Sequence, residues 1–144
     1  MTAPVDSFTI CVLFFGDYPD LAKRCLDSLR RLPQGVRIRI GENQAGEATR
    51  KLVDEFVANR PVEMLQRHAT NQCKYPVMRE LFYSKPLETE YVCWMDDDSS
   101  ITAGDTDKWL SAIHGAMQSA DMLGSLYRMR FRGNQYRWVE RQPW

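Results

Sequence analysis

Residues Phe8 to Phe15 are almost continuously apolar and stop at Gly16-Asp17-Tyr18-Pro19. A short apolar run bounded by turn residues predicts a central strand. Pro19 suits the first turn of a helix. Leu21, Cys25, Leu29 and Leu32 then recur at helical spacing until Pro33-Gln34-Gly35 stops them. Val36-Arg37-Ile38-Arg39-Ile40 alternates, which predicts a strand with one more polar face. A loop follows from Gly41 to Gly46. Ala48, Leu52 and Phe56, with Val53 and Val57 beside them, predict a second amphipathic helix. After Pro61, Val62 to Leu65 reads as a short third strand and His68 to Cys73 as a loop. Val77, Met78, Leu81 and Phe82 predict a third helix starting near Pro76. Tyr91 to Met95 is a fourth strand. Trp109, Ile113, Ala116 and Met117 mark a fourth helix from near Thr106, and Asp121 to Phe131 reads as a fifth strand.

Strands alternating with helices imply βαβ units. The predicted class is α/β, with a mostly parallel sheet and helices on both faces. Ligands of such open sheets bind at the carboxyl ends of the strands. Four loops converge there: Phe15–Asp17, Glu42–Gly46, His68–Lys74 and Asp96–Ser100.

The last of these carries the most chemistry. Tyr91-Val92-Cys93-Trp94-Met95 runs straight into Asp96-Asp97-Asp98. Three carboxylates cannot continue into a core, because unpaired buried charge is too costly. They sit where the strand emerges, and their mutual repulsion invites a hard divalent cation. Mg²⁺ is often held by one or two carboxylates plus substrate phosphates. A solvated acidic turn is the plainer alternative.

Composition changes this picture little. The chain has 144 residues, 44% of them hydrophobic and 26% charged, which suits one globular domain. Formal net charge is zero, so nothing global demands nucleic acid or an anionic membrane. The tail from Met122 onward differs, with Arg128, Arg130, Arg132, Arg137 and Arg141 against Glu140. On a strand, Arg128, Arg130 and Arg132 share one face. Tyr136, Trp138 and Trp144 add aromatic surface there. That surface suits a phosphorylated or nucleic-acid acceptor, or is simply a half-solvated edge. Cys11, Cys25, Cys73 and Cys93 form no C-x-x-C pair and read as reduced thiols of a cytoplasmic protein. His68 and Cys73 are too sparse for a zinc site, and His114 reads as a packed or surface residue. No signal peptide pattern is present, and no apolar run approaches the ~20 residues of a transmembrane segment.

In their order, these segments resemble the nucleotide-sugar-binding half of family 2, GT-A fold glycosyltransferases. Leu13-Phe14-Phe15-Gly16 stands where that family often has Pro-x-Tyr-Asn. Arg24-Cys25-Leu26-Asp27-Ser28-Leu29 is similar to its R-C-L-x-S-L first helix. Glu42-Asn43 falls at its acidic position after the second strand. Asn71 followed by Arg79 resembles its N-x-G...A-R-N segment, and Tyr91 to Asp98 its apolar strand and D-x-D motif. The resemblance covers Phe8 to Phe131 and makes residues 1–144 a single nucleotide-sugar-binding domain. It implies a Rossmann-like GT-A fold and an inverting transfer from a nucleotide-diphosphate sugar, with UDP as the expected nucleotide and Mg²⁺ or Mn²⁺ as cofactor.

Specific roles follow from the resemblance. Asp98 is expected to ligate the metal. Asp96 is expected at the ribose or at the metal through water, and Asp97 is the third donor-binding acid. Lys74 and Arg79 would bring positive charge to the diphosphate; alternatively they are a surface Lys and a helix Arg paired with Glu80. Glu42 would accept from the uracil N–H, or is an ordinary loop acid. Phe15 would flank the base, or packs in the core. Family members carry an acceptor-binding half after the D-x-D, including a general base. That half is expected to be missing here, and Glu140 is the one weak candidate for the base. Two rivals stand beside this reading. Asp96-Asp97-Asp98-Ser99-Ser100-Ile101 also resembles the nucleophile motif of haloacid-dehalogenase-like phosphatases. A degenerate, non-catalytic module binding a nucleotide or a protein partner is the other.

Overall fold

The computed structural model describes residues 5–102 and 104–123, together with the backbone of 129–131 and 134–136. A short 3₁₀ turn, Val5–Ser7, leads into β1 (Phe8–Phe15). Then come α1 (Pro19–Arg30), β2 (Arg37–Asn43), α2 (Glu47–Asn59), β3 (Met64–His68), α3 (Lys74–Tyr83), β4 (Tyr91–Asp96) and α4 (Thr106–Met117). The four strands form one sheet in the order β3-β2-β1-β4, and every pairing is parallel. This is the α/β, Rossmann-like class expected from the alternation of elements.

β1 is the central strand, and every residue from Phe8 to Phe14 is buried. Its even positions Phe8, Ile10, Val12 and Phe14 join Ile38 and Ile40 of β2 in the main core. Ala22, Cys25, Leu26 and Leu29 of α1, Val53 and Phe56 of α2, and Leu110 of α4 cover that face. Fully burying one such aliphatic or aromatic side chain contributes about 1.5–3 kcal/mol. The opposite face belongs to α3. A Cβ at Gly41 would meet Val77 at 2.7 Å, so glycine there lets α3 lie close on the sheet.

That opposite face corrects one expectation. Arg39 was to lie on the more polar side of β2, yet it is fully buried. Its Nε donates to Glu63 at 2.5 Å, and its other nitrogens donate to the carbonyls of Leu81, Lys85 and Pro86 at 2.6, 2.9 and 2.8 Å. Burial pushes the Glu63 carboxyl up, but hydrogen bonds from Arg39 and Arg37 and the charges of Arg39 and Lys85 outweigh it and hold the net value low. A second buried arginine, Arg60, donates to the carbonyls of Leu32 and Pro33 and closes the α1–β2 turn.

Several boundaries move. α2 buries Thr49, Val53 and Phe56, and Ala48 is exposed, so its inner face is rotated by about one residue. β3 begins at Met64 rather than Val62, because polar Gln66, Arg67 and His68 are acceptable on an edge strand. α3 begins at Lys74, since Pro76 is tolerated in a first turn whose N–H groups have no helical partner. The fifth strand is the largest correction. Asp121, Met122 and Leu123 are exposed and not in a strand. Among the described residues of that segment, Met129–Phe131 is strand, and it pairs antiparallel with Asn134–Tyr136 in a separate two-stranded sheet.

Candidate donor-binding site

The carboxyl ends of β1, β2, β3 and β4 lie along one edge, as the parallel order requires. Phe15, Asn43, His68 and Asp96 are the final residues of those strands. The loops beyond them are tied to one another. Gly46 N–H donates to the Gly16 carbonyl at 2.8 Å, and Asp17 Oδ1 accepts from Thr49 N–H at 3.2 Å. The β1–α1 loop therefore caps the start of α2 from outside the helix. Asn43 Nδ2 donates to Asn71 Oδ1 at 2.9 Å, and Asn43 Oδ1 accepts from the Gln72 N–H at 2.7 Å. Asn71 Oδ1 also accepts from the Cys73 N–H at 2.7 Å. Cys73, with φ +64°, turns the chain into α3. None of Asp17, Asn43 or Asn71 was recognised in this tying role from sequence.

The three acids have three different surroundings. Asp96 Oδ2 accepts from Lys74 Nζ at 2.7 Å, and its Oδ1 accepts from Trp94 Nε1 at 3.0 Å. Lys74 Nζ also lies 5.8 Å from the centre of the Trp94 ring. Asp97 turns back and accepts from the Phe15 N–H at 3.0 Å, joining the ends of β4 and β1. Burial raises its carboxyl above the usual range; the Phe15 N–H opposes this, and Asp98 and Asp96 add to it. Asp98 is exposed, and a 3.5 Å contact from Ser99 Oγ is the only described bond to its carboxylate. Its backbone carbonyl accepts from Arg24 Nη2 at 2.8 Å. A tight turn, Ser99 N–H to Asp96 carbonyl at 2.9 Å, holds the acids together.

The other expected site residues divide. Phe15 is 41% exposed, so it is an edge aromatic and not a core residue. Arg79 is exposed on α3 and makes no described bond; Glu80 pairs with His68 at 2.7 Å instead of with Arg79. Glu42 is buried at the end of β2. Arg67 Nε lies 3.0 Å from its Oε2 but is too poorly aligned to hydrogen-bond, leaving both oxygens without a donor. Burial raises the Glu42 carboxyl, with Arg67 opposing. Glu42 is thus no ordinary loop acid. Glu140, Arg128, Arg132, Arg137, Arg141, Trp138 and Trp144 lie outside the described residues. Of Arg130 and Tyr136 only the backbone is described.

Among the described residues, no three His, Cys, Asp or Glu side chains converge as a ready metal cage. The thiols do not suit the purpose either. Burial pushes Cys11 and Cys25 up to about 12 and Cys93 to about 11, and all four cysteines are free. No helix among the described residues is long and apolar enough to cross a membrane.

No family model and no curated protein matches the chain. Solved structures do. The mannosyltransferase PcManGT from Pyrobaculum calidifontis, in complex with GDP-Man and Mn²⁺, superposes with a TM-score of 0.60 at 16% identity. The match covers 74% of this chain and 31% of that one. S. aureus TarS gives a TM-score of 0.63 at 16% identity, over 85% of this chain and 24% of TarS. The TarS fragment 1–349 gives 0.60 at 18% identity, over 85% and 39%. The chain therefore spans less than two-fifths of the length of each. The likeness shows that the chain shares its α/β fold with part of each of these proteins. The topology does not favour the phosphatase alternative, since Asp96 closes the last of the four parallel strands, at an edge, rather than the first.

Proposed function

We propose that the chain binds a nucleotide-diphosphate sugar with a divalent cation and forms the donor side of a glycosyltransferase. The observation that carries this reading is the Asp96-Asp97-Asp98 turn at the carboxyl edge of the sheet. It stands in a fold shared with a mannosyltransferase whose structure holds GDP-Man and Mn²⁺.

The donor set fits such a cation. Carboxylate oxygens suit Mg²⁺ and Mn²⁺, and one or two carboxylates suffice when substrate phosphates complete the shell. Asp98 is the uncommitted carboxylate and would be the direct ligand, with Asp96 beside it. When bound, the cation would supply Lewis-acid stabilisation to a departing diphosphate. Asp97 is spent on Phe15 and holds the turn in place. Lys74 neutralises Asp96 and, by rotating its flexible stem, can carry its charge to a phosphate. Arg79 adds a second cation on the same helix. Phe15 offers an exposed ring edge to a base.

UDP is the proposed nucleotide. Uracil presents one imide N–H, which matches one oxygen of Glu42, whereas guanine would call on both. That contact needs Arg67 to turn outward, because it covers the carboxylate. Transfer further requires a base for the acceptor hydroxyl. No residue of the described edge is assigned that role, and Glu140 is the candidate carried over from the sequence.

Calorimetric titration with UDP and GDP, in Mn²⁺ and then in EDTA, tests the proposal. The expected result is UDP binding that Mn²⁺ strengthens, followed by metal-dependent turnover of a UDP-sugar with some member of an acceptor panel. Absence of binding by either nucleotide in Mn²⁺ would support the non-catalytic module instead.

A further inference from the structure

The first helix carries an arginine that the donor site has not yet used. Arg24 lies on α1, and Arg31, seven positions on and closing the helix with helical backbone angles, projects from the same side. Both reach across to the irregular segment after β4. Arg24 Nη2 donates to the Asp98 carbonyl at 2.8 Å, and Arg31 Nη2 donates to the Ile101 carbonyl. Thr106 Oγ1 returns a bond to the Arg31 carbonyl at 3.0 Å. Between Ser99 and Asp105 the described chain has no helix or strand. The α1 end thus supplies two anchors to it, beside the burial of Ile101 in the core.

This matters most at Asp98. Its carboxylate is exposed, and the 3.5 Å contact from Ser99 is too long to orient it. What fixes Asp98 is its backbone: the Asp96–Ser99 turn on one side and the Arg24 bond on the other. We infer that Arg24 is a positioning residue for metal binding, which it serves by locking the peptide that presents the Asp98 carboxylate. The inference rests on the proposal that Asp98 ligates the cation. A guanidinium suits the task because its planar fork is pre-organised and always charged. Removing partners that orient a metal ligand typically costs about 10–100-fold in metal affinity.

The test is UDP binding by the 144-residue chain across a Mn²⁺ titration, in wild type, Arg24→Met, Arg24→Lys and Asp98→Asn. Arg24→Met should raise the Mn²⁺ concentration for half-maximal UDP binding about tenfold. UDP affinity at saturating Mn²⁺ should return to the wild-type value, and Tm should fall by no more than about 2–4 °C. Arg24→Lys keeps a charge and a donor, and should recover part of the shift even if the Met variant fails to fold. An unchanged Mn²⁺ midpoint in both Arg24 variants, with Asp98→Asn still abolishing the Mn²⁺ effect, overturns the inference and leaves the donor site standing. Weaker UDP binding at every Mn²⁺ concentration would put Arg24 on the nucleotide itself and also overturn it. No Mn²⁺ effect in the wild type removes the donor-site reading and this inference together.

Discussion

The two ends of the sheet edge are built differently. At the β2 and β3 end, the polar groups other than Glu42 are committed to other parts of the protein. Asn43 holds Asn71 and Gln72, Asp17 holds Thr49, His68 holds Glu80, and Arg67 spans Glu42 and Asp54. At the β4 end, Asp98 presents a carboxylate whose sole described contact is long, and the Asp96 carboxylate is matched by a half-exposed lysine and an indole N–H. A committed hydrogen bond contributes modestly to stability but is costly to orphan when buried. An exposed carboxylate contributes little until a ligand arrives. The first region reads as frame and the second as the place where a cation and phosphates are received. Substitutions should separate the two by what they damage.

The largest expected effect lies in the frame, beneath the edge. Arg39→Met removes the nearest of the three cations around half-buried Glu63, leaving Arg37 and Lys85, and also removes the donors to three carbonyls. Breaking a buried pair from one side costs about 3–5 kcal/mol, which urea unfolding would register. A loss under about 1 kcal/mol would mean that this face of β2 relaxes and does not support the edge. Next comes Gly46→Ala. The added Cβ would stand 2.3 Å from Asp17 Cβ and Cγ. Gly46 has an ordinary φ of −69°, so the cost is steric and not conformational. Displacing Asp17 from Thr49 should destabilise by about 1–3 kcal/mol. An unchanged melting temperature would show that the β1–α1 loop is free to move.

Glu42→Gln gives the smallest effect and carries a sign. Burial raises the folded carboxyl of Glu42, so the folded state binds its proton more tightly than the unfolded state does. Its stabilising contribution is therefore full below the ordinary glutamate value and is lost as pH rises through the raised folded value. Melting temperatures from pH 4 to 8 should fall less steeply in Glu42→Gln than in the wild type. Parallel curves would show that Arg67 compensates the charge fully.

How legible this was depends on which forces decide each feature. The class and the strand-end acids could be read directly. The apolar run Phe8–Phe15 admits only a central strand, and Asp96–Asp98 cannot enter a core. α1 and α4 were found from their periodicity, and Pro19 fixed where α1 begins. β3 was displaced because its residues are polar and its pairing, not its composition, makes it a strand. The burial of Arg39 was invisible, since alternation marks a face as polar without saying what covers it. The surroundings of the acids were equally hidden. Asp97 meets Phe15 across 82 positions, and Arg24 meets Asp98 across 74. No local pattern encodes such contacts; the parallel order of the sheet creates them.

The central claim is that the acidic turn receives the cation and the diphosphate, with Glu42 and Phe15 left for the base, while the bonds that tie the other loops together are frame. Asp98→Asn tests it most directly, by calorimetry with UDP and Mn²⁺ and urea unfolding of the same samples. The account predicts that Mn²⁺-dependent UDP binding disappears while unfolding free energy stays within about 0.5 kcal/mol of wild type. Equal Mn²⁺-dependent affinity in the two proteins would contradict it, as would a loss of stability on the scale of Arg39→Met.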